Sequence, residues 1–266
     1  DLEREVLELH IPLVKQVGDS FEAIWSNDDE KDRFLQAFRD LSKEILDLQD
    51  FIPSDEIPEE NRWARTARNY GLTNWYMLFN PRQLLTVAKL SKIVSGIAEN
   101  LVRNNGEFGA AVALYLAFAI DKLADYNTIA TIRHGFKVVH TFRGESTIDF
   151  RLDYAEVNPI SKTLQWVLEL DIAESGKFSK TSGGILPALR FVTESFKGTN
   201  LGDKVNIYLG DSTRLSQILG AKSVDVINVD PPYFEQAIYS DTSEFFWVIL
   251  RRALRPVLEL LFKPGL

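Results

Sequence analysis

The sequence predicts a mixed α/β fold with a helical N-terminal arm and a partly β insertion. Strand and helix patterns alternate in the last third of the 266-residue chain, which is typical of a parallel sheet covered by helices. The first part instead carries apolar residues at helical spacing. Because 45% of the residues are hydrophobic and 26% are charged, we also expect a sizeable core.

The patterns divide the chain into four consecutive units. We expect an acidic helical arm, a helical segment, a partly β insertion and an α/β portion, over residues 1–62, 63–126, 127–180 and 181–266. The arm holds 18 acidic and 7 basic residues, a balance of −11, whereas the remainder has a balance of +3. The acidity of the whole chain therefore does not argue against a nucleic-acid partner.

Two helices are predicted in the arm, over residues 3–17 and 30–49. Apolar residues of the second recur at spacings of four and three and form one stripe, Phe34, Phe38, Leu41, Ile45 and Leu48. Further helices are predicted over 81–103 and 107–126, and β character over 137–142, 147–151 and 163–170.

The α/β portion is predicted in more detail. A helix over 185–196 precedes a strand over 205–209, a short polar helix over 212–219, a strand over 224–229 and a final helix over 243–262. Ligands of parallel α/β sheets bind outside the carboxyl ends of the strands, and Asp211 and Asp230 fall at two such ends.

Composition excludes several classes of protein. The chain has no cysteine, so it can form neither a disulfide framework nor a thiolate zinc site, and its three histidines disfavour a metal enzyme. The longest apolar run, 110–120, is too short to span a bilayer, and no secretory signal opens the chain. We therefore expect a cytoplasmic protein without a metal site or a membrane partner.

The tetrapeptide Asp230-Pro231-Pro232-Tyr233 carries the clearest chemistry. It follows an apolar strand pattern, and its chance occurrence is roughly one in a thousand chains of this size. An exocyclic amine on a base is a weak nucleophile because its lone pair is delocalised into the ring. A carboxylate from Asp230 and a carbonyl from Pro231 or Pro232 could each accept one N–H and so localise that pair.

Other residues would complete such a site. Tyr233 could stack on a base taken out of the duplex, and S-adenosyl-L-methionine would supply an electrophilic methyl group without a metal. Asp211 is a second candidate, as a hydrogen-bond acceptor for that cofactor. The structural alternatives are a Pro-Pro turn with Tyr233 in the core, and an N-cap at Asp211 for the following helix.

Several further stretches occur in the order found in one family. They are Tyr70-Gly-Leu-Thr-Asn-Trp75, Leu78-Phe-Asn-Pro-Arg-Gln-Leu-Leu85, Asp121-Lys-Leu-Ala-Asp-Tyr-Asn127, Asp153-Tyr-Ala-Glu-Val-Asn-Pro159, Ser182-Gly-Gly184, Gly210-Asp211 and Tyr239-Ser-Asp-Thr-Ser-Glu-Phe-Phe246. With Asp-Pro-Pro-Tyr, they make residues 63–255 resemble the prokaryotic adenine-specific DNA methylases that carry a large insertion before the catalytic motif, a family whose members often contain a zinc ribbon. The resemblance implies a Rossmann-like methyltransferase portion, with S-adenosyl-L-methionine as cofactor, DNA as partner and adenine N6 as target.

The same resemblance suggests two further sites. Phe79-Asn80-Pro81 is similar to a Phe-Thr-Pro element that contacts the cofactor in many adenine methylases, so Asn80 and Pro81 are cofactor-binding candidates. The structural alternative is an N-cap at Asn80 with Pro81 in the first helical position. The insertion, residues 127–180, is the candidate for target recognition, and a packed subdomain is its structural alternative.

The chain also departs from the family pattern. It has no cysteine for a zinc ribbon and no Phe-x-Gly-x-Gly loop after a strand to bind the methionine end of the cofactor. It begins with Asp1 rather than Met and ends soon after its best motif. We therefore expect a fragment, whose glycine loop another polypeptide segment supplies.

Two rival interpretations stay open at this stage. The same geometry serves an N4-cytosine methyltransferase or an enzyme acting on an RNA or protein amide nitrogen. Alternatively, the chain is a non-catalytic DNA-binding or assembly fragment of a methylase, with the acidic arm as the surface that binds a partner.

Overall fold

The structure is a computed structural model that describes residues 14–17, 20–24, 27–134, 137–142, 148, 154–159, 185–199, 205, 211–230 and 239–261. Its helices are α1 (Asp28–Leu48), α2 (Arg65–Asn69), α3 (Pro81–Asp125), α4 (Ile185–Ser195), α5 (Tyr239–Ala253) and α6 (Leu258–Leu261). Short 3₁₀ turns lie at Gln49–Phe51, Trp75–Leu78, Ser212–Gln217 and Arg255–Val257. Within these ranges no helix is long and apolar enough to cross a membrane.

The β structure of the described residues consists of two small antiparallel hairpins. β1 (Val14–Val17) pairs with β2 (Ser20–Ala23), and β3 (Ile132–His134) pairs with β4 (Lys137–Val139). The predicted helix over 3–17 is therefore wrong for residues 14–17. Helical periodicity is a weak signal over a single turn, and pairing with β2 decides the conformation there.

Helix α1 confirms the predicted amphipathic helix of the arm. Its N-cap is Asn27, whose side chain accepts a hydrogen bond from the Glu30 amide at 3.2 Å. The predicted stripe is buried at Phe34, Leu41 and Leu48, whereas Ile45 is exposed. This face packs on α3, and the ion pairs Lys89–Glu44 and Lys92–Asp47 flank the contact.

Helix α3 contains a sharp break at Gly106, where φ is 54° and ψ is −128°. Residues other than glycine rarely adopt this backbone conformation, so the two predicted helices over 81–103 and 107–126 are confirmed as separate halves. Next to the break, the Cα of Gly109 lies so close to the Leu101 carbonyl that a Cβ would overlap its oxygen.

An aromatic core joins residues 63–79 to α5. Trp63 stacks on Phe142 with ring centroids 4.1 Å apart, and Phe245 of α5 contacts Trp63, Trp75 and Phe79. These rings belong to a continuous cluster of buried residues that runs from Leu41 to Val257. The arm, the helical segment and α5 therefore share one core.

The described residues fit an α/β class only loosely, because they are mostly helical and contain no parallel sheet. The predicted strand over 224–229 is wrong, since residues 223–230 form no strand and Val226, Ile227 and Val229 are 81%, 71% and 73% exposed. A strand requires a hydrogen-bonded neighbour. The neighbour predicted for it, the strand over 205–209, lies outside the described residues except for Val205.

The remaining predictions have mixed outcomes. The helix over 185–196 is confirmed by α4, and the short polar helix by the 3₁₀ turn Ser212–Gln217. The final helix begins earlier than predicted, at Tyr239, and breaks near Arg255 because Pro256 follows. Of the predicted β segments, 137–142 is confirmed in part by β4, and 147–151 and 163–170 lie outside the described residues except for Ile148.

Candidate functional site

The predicted catalytic carboxylate, Asp230, is exposed to solvent at the end of an irregular apolar segment. Its neighbours Pro231, Pro232 and Tyr233 lie outside the described residues. Asp230 makes no hydrogen bond or ion pair to the described part of the chain.

The chain that follows the tetrapeptide is held firmly at the first turn of α5. Asn61 donates from its side-chain amide to the Asp241 carbonyl and to Glu244 Oε2, both at 3.0 Å. The Arg62 amide donates to Asp241 Oδ2 at 2.7 Å, and Asn61 Oδ1 accepts from the Ala64 amide at 2.9 Å. The first three bonds attach the start of α5 to the segment at Asn61 and Arg62, and the fourth stabilises that segment itself.

Asp211 caps the 3₁₀ turn Ser212–Gln217, as the structural alternative predicted. Its Oδ1 accepts from the Thr213 amide at 2.9 Å and from the Thr213 hydroxyl at 2.7 Å. The bond from the hydroxyl, followed by that from the amide, lowers the pKa of Asp211 below its usual value. Arg214 Nε lies 3.6 Å from Oδ2. Because Asp211 is exposed and a carboxylate can accept several bonds, it keeps capacity for a ligand.

Asn80 caps α3 through a reciprocal pair of hydrogen bonds. Its Oδ1 accepts from the Gln83 amide at 2.9 Å, and Gln83 Oε1 accepts from the Asn80 amide at 3.0 Å. Pro81 takes the first helical position, where a missing N–H has no consequence. This capping arrangement is confirmed as the sequence predicted it.

The side-chain nitrogen of Asn80, Nδ2, connects the start of α3 to the insertion. It donates to the Tyr154 hydroxyl at 2.9 Å and to Glu156 Oε1 at 2.6 Å. Arg82 adds a two-pronged ion pair to Glu156, with Nε–Oε2 at 2.9 Å and Nη2–Oε1 at 3.0 Å. Both N–H groups of the Asn80 amide are therefore used inside the protein.

The charges of this cluster support one another. Burial alone would lower the pKa of Arg82, but the Glu156 carboxylate more than offsets it and raises that pKa above its usual value. Burial, and then the neighbouring Glu156 charge, raise the pKa of Tyr154 well above its usual value. At neutral pH the cluster is thus an ion pair beside a neutral phenol.

The structure brings only some of the sequence-predicted residues together. Asn80 and Pro81 lie in one cluster, whereas neither Asp211 nor Asp230 has a hydrogen bond or ion pair to it. Sequence reasoning missed the roles of Arg82, Tyr154 and Glu156. The signal was present, because Arg82 and Tyr154-Ala-Glu156 lie within two of the stretches that resemble the methylases.

Asp211 and Asp230 are both exposed carboxylates. Within the described ranges, no group of three or more His, Asp or Glu side chains is arranged to hold a metal ion. The exposed carboxylates of Asp211 and Asp230 could accept from the hydroxyl or amine groups of S-adenosyl-L-methionine and of a base, respectively.

Comparison of the chain with protein-family models, curated proteins and solved structures finds no match. The resemblance to the adenine-specific DNA methylases therefore stays a prediction, which rests on the sequence stretches and on the chemistry of the tetrapeptide.

Proposed function

We propose that this chain is the catalytic portion of an S-adenosyl-L-methionine-dependent DNA methyltransferase that acts on N6 of adenine. The observation that carries the proposal is the Asp-Pro-Pro-Tyr sequence, which follows an apolar segment. The solvent exposure of Asp230 supports it, because a base must reach this carboxylate from outside the protein.

In the proposed reaction, Asp230 accepts one N–H of the adenine amine, and the carbonyl of Pro231 or Pro232 accepts the other. Accepting both N–H groups would localise the lone pair on the amine nitrogen. S-adenosyl-L-methionine, which Asp211 would help to hold, would supply an electrophilic methyl group on a positively charged sulfur that leaves as a neutral thioether. The amine loses one proton, first to Asp230 and then to water, while Tyr233 holds the base by stacking.

Residues away from the reacting atoms have supporting roles in this proposal. Asp211 accepts a hydrogen bond from the cofactor while it caps its own turn. Asn80 and Pro81 contribute through the rigid start of α3 and not through the Asn80 amide, because both of its N–H groups are already used. The hydrogen bonds from Asn80 to Tyr154 and Glu156 would hold the insertion, the proposed target-recognition element, against the helical segment over residues 63–126.

The exposed apolar side chains of residues 224–229 support a Rossmann-like methyltransferase portion. Val226, Ile227 and Val229 leave most of their surface in water, and burying such side chains is worth about 1.5–3 kcal/mol each. We infer that another part of a Rossmann-like methyltransferase covers these side chains. Asp230 would then lie at the carboxyl-terminal end of the covered segment.

Calorimetric titration of S-adenosyl-L-methionine in the presence of adenine-containing duplex DNA tests the cofactor assignment. We expect micromolar binding that weakens at least tenfold in Asp211→Ala, with Asp32→Ala, an exposed change on α1, as the matched control. Equal affinity of all three proteins would remove Asp211 from the cofactor site.

The exposed segment also favours a second candidate function, a non-catalytic assembly module. In that role Val226, Ile227 and Val229 would add a strand to a partner's sheet without supporting catalysis. DNA binding without any affinity for S-adenosyl-L-methionine would favour the assembly module over the enzyme.

A further inference from the structure

A cleft of about 720 Å³ lies between the second half of α3, the start of α5 and the segment near Asn61. Its volume is within the range of ordinary small-molecule sites. It is separate from the Asn80 cluster, and none of the described residues that were predicted to bind cofactor or substrate, Asn80, Pro81, Asp211 and Asp230, line it.

Asp121 is the most deeply buried acidic residue of this cleft. It is 9% exposed, and its Oδ1 has no hydrogen-bond partner among the described residues. Burial raises the pKa of Asp121 well above its usual value. A buried carboxyl oxygen without a partner costs stability, so an observed one indicates a group that a ligand completes.

Lys122, the next residue in the sequence, does not form an ion pair with Asp121. Lys122 donates instead to Asp125 Oδ2 at 3.3 Å, and its ammonium group lies 4.7 Å from the centre of the Tyr126 ring. Among the described residues, no Lys or Arg lines the cleft. The missing partner must therefore come from outside this part of the chain.

The other lining groups define the chemistry of that partner. Glu60, Asp241 and Glu244 add three carboxyl groups, so the cleft attracts positive charge. Phe118, which lies one turn before Asp121 on the same face of α3, and Phe246 and Trp247 of α5 add aromatic surface. Aromatic faces beside carboxylates attract organic cations, because the ring quadrupole adds to the charge interaction and the ring buries the apolar stem.

We propose that this cleft binds a small organic cation with an ammonium or guanidinium head on an aliphatic stem. On binding, the positively charged head favours the ionised form of Asp121 and donates to its Oδ1, and the stem lies along Phe118, Phe246 and Trp247. The site does not depend on the proposed methyl transfer, because none of the structurally described residues assigned to that reaction lines it.

Calorimetric titration with agmatine, which carries an ammonium and a guanidinium group, tests the proposal, with 1-butanol as the uncharged probe. We expect saturable agmatine binding and none of 1-butanol. Asp121→Asn, which keeps the shape but removes the charge, should weaken binding at least tenfold. Asp32→Asn, on α1 away from the cleft, should leave it within twofold.

A second variant distinguishes a loss of the binding site from a change in folding. Trp247→Leu keeps every carboxyl group and should still weaken agmatine binding at least threefold. Agmatine binding no tighter than that of 1-butanol would overturn the proposal, as would wild-type affinity in both variants. Binding of the tripeptide Gly-Arg-Gly without binding of agmatine would overturn it in favour of a basic side chain of a partner protein.

Discussion

At the scale of single residues, Asn80 shows how one side chain can serve several parts of the fold. Its oxygen caps α3, and its nitrogen joins Tyr154 and Glu156 of the insertion, 74 and 76 residues away. An asparagine suits this position because it carries an acceptor and two donors on one planar group. Asp would keep the cap but place a second carboxylate against Glu156.

We predict that Asn80→Ala lowers the free energy of unfolding by about 2–4 kcal/mol. The change removes a cap, worth about 1 kcal/mol, and the two hydrogen bonds to Tyr154 and Glu156, worth about 0.5–1.5 kcal/mol each. Urea unfolding followed by circular dichroism measures the difference. Asn27→Ala is the matched control, because Asn27 caps α1 and should cost only the cap. Equal losses in the two variants would contradict the role given to the Asn80 nitrogen.

Asp121 carries a second prediction at this scale. Because its Oδ1 is buried without a partner, Asp121→Asn should unfold at a urea concentration no lower than wild type in the absence of ligand. A clearly lower midpoint would mean that the carboxylate already has a stabilising partner in the free protein.

At the scale of elements, α3 is organised around two glycines with different requirements. Gly106 provides the backbone conformation of the break, and Gly109 allows the two halves to approach closely. The helices predicted over 81–103 and 107–126 already left Asn104-Asn105-Gly106 between them. The need for a small residue at Gly109 depends on a contact with Leu101, which no sequence pattern predicts.

We predict that Gly109→Ala and Gly96→Ala change stability in opposite directions. A Cβ at Gly109 would overlap the Leu101 carbonyl, so the helix halves must move apart at a cost of about 1–3 kcal/mol. Gly96 lies in the same helix with open space around it, so alanine there should stabilise by about 0.5–1 kcal/mol. Thermal and urea unfolding of both variants provide the check, and destabilisation by both would contradict this packing.

The elements that were predicted well are those with a strong local helical pattern. Helices α1 and α4 and the two halves of α3 are long or strongly periodic, so their own sequences determine them. The segment 224–229 was predicted wrongly because a strand also needs a neighbour, which the described structure does not provide. The partners of Asn80 lie in a stretch that resembles the methylases, but they were missed because no local pattern shows that this stretch meets Asn80, 74 and 76 residues away.

At the scale of the whole molecule, ion pairs join the segment after α1 to the C-terminal helices. Asp55 pairs with Arg251 and with Arg252, the latter at 2.6 Å, and Asp50 pairs with Arg255 at 2.7 Å. Burial alone would raise the pKa of Asp55, but hydrogen bonds from Arg251 and then Arg252 outweigh it, and the pKa is lowered.

This depressed pKa predicts a pH dependence of stability. The contribution of Asp55 is fully present above its unfolded-state pKa of about 4 and is lost as the pH falls through its lower folded-state value. We expect Asp55→Asn to lower the unfolding free energy at pH 7 and to approach wild type near pH 2. Urea unfolding across that range measures the difference, and a constant gap between the two proteins would contradict the ion pairs.

The proposal that the chain transfers a methyl group to N6 of adenine through Asp230 is tested most directly by mass spectrometry of nucleosides from duplex DNA. The DNA is incubated with S-adenosyl-L-methionine and with the chain in the longer protein or complex that supplies the predicted glycine loop. We predict N6-methyladenine from the wild-type sequence, none above background from Asp230→Ala, and an unchanged yield from Asp225→Ala, an exposed aspartate of the same segment. Methylation that persists in Asp230→Ala, or that appears on cytosine instead, would contradict the assignment.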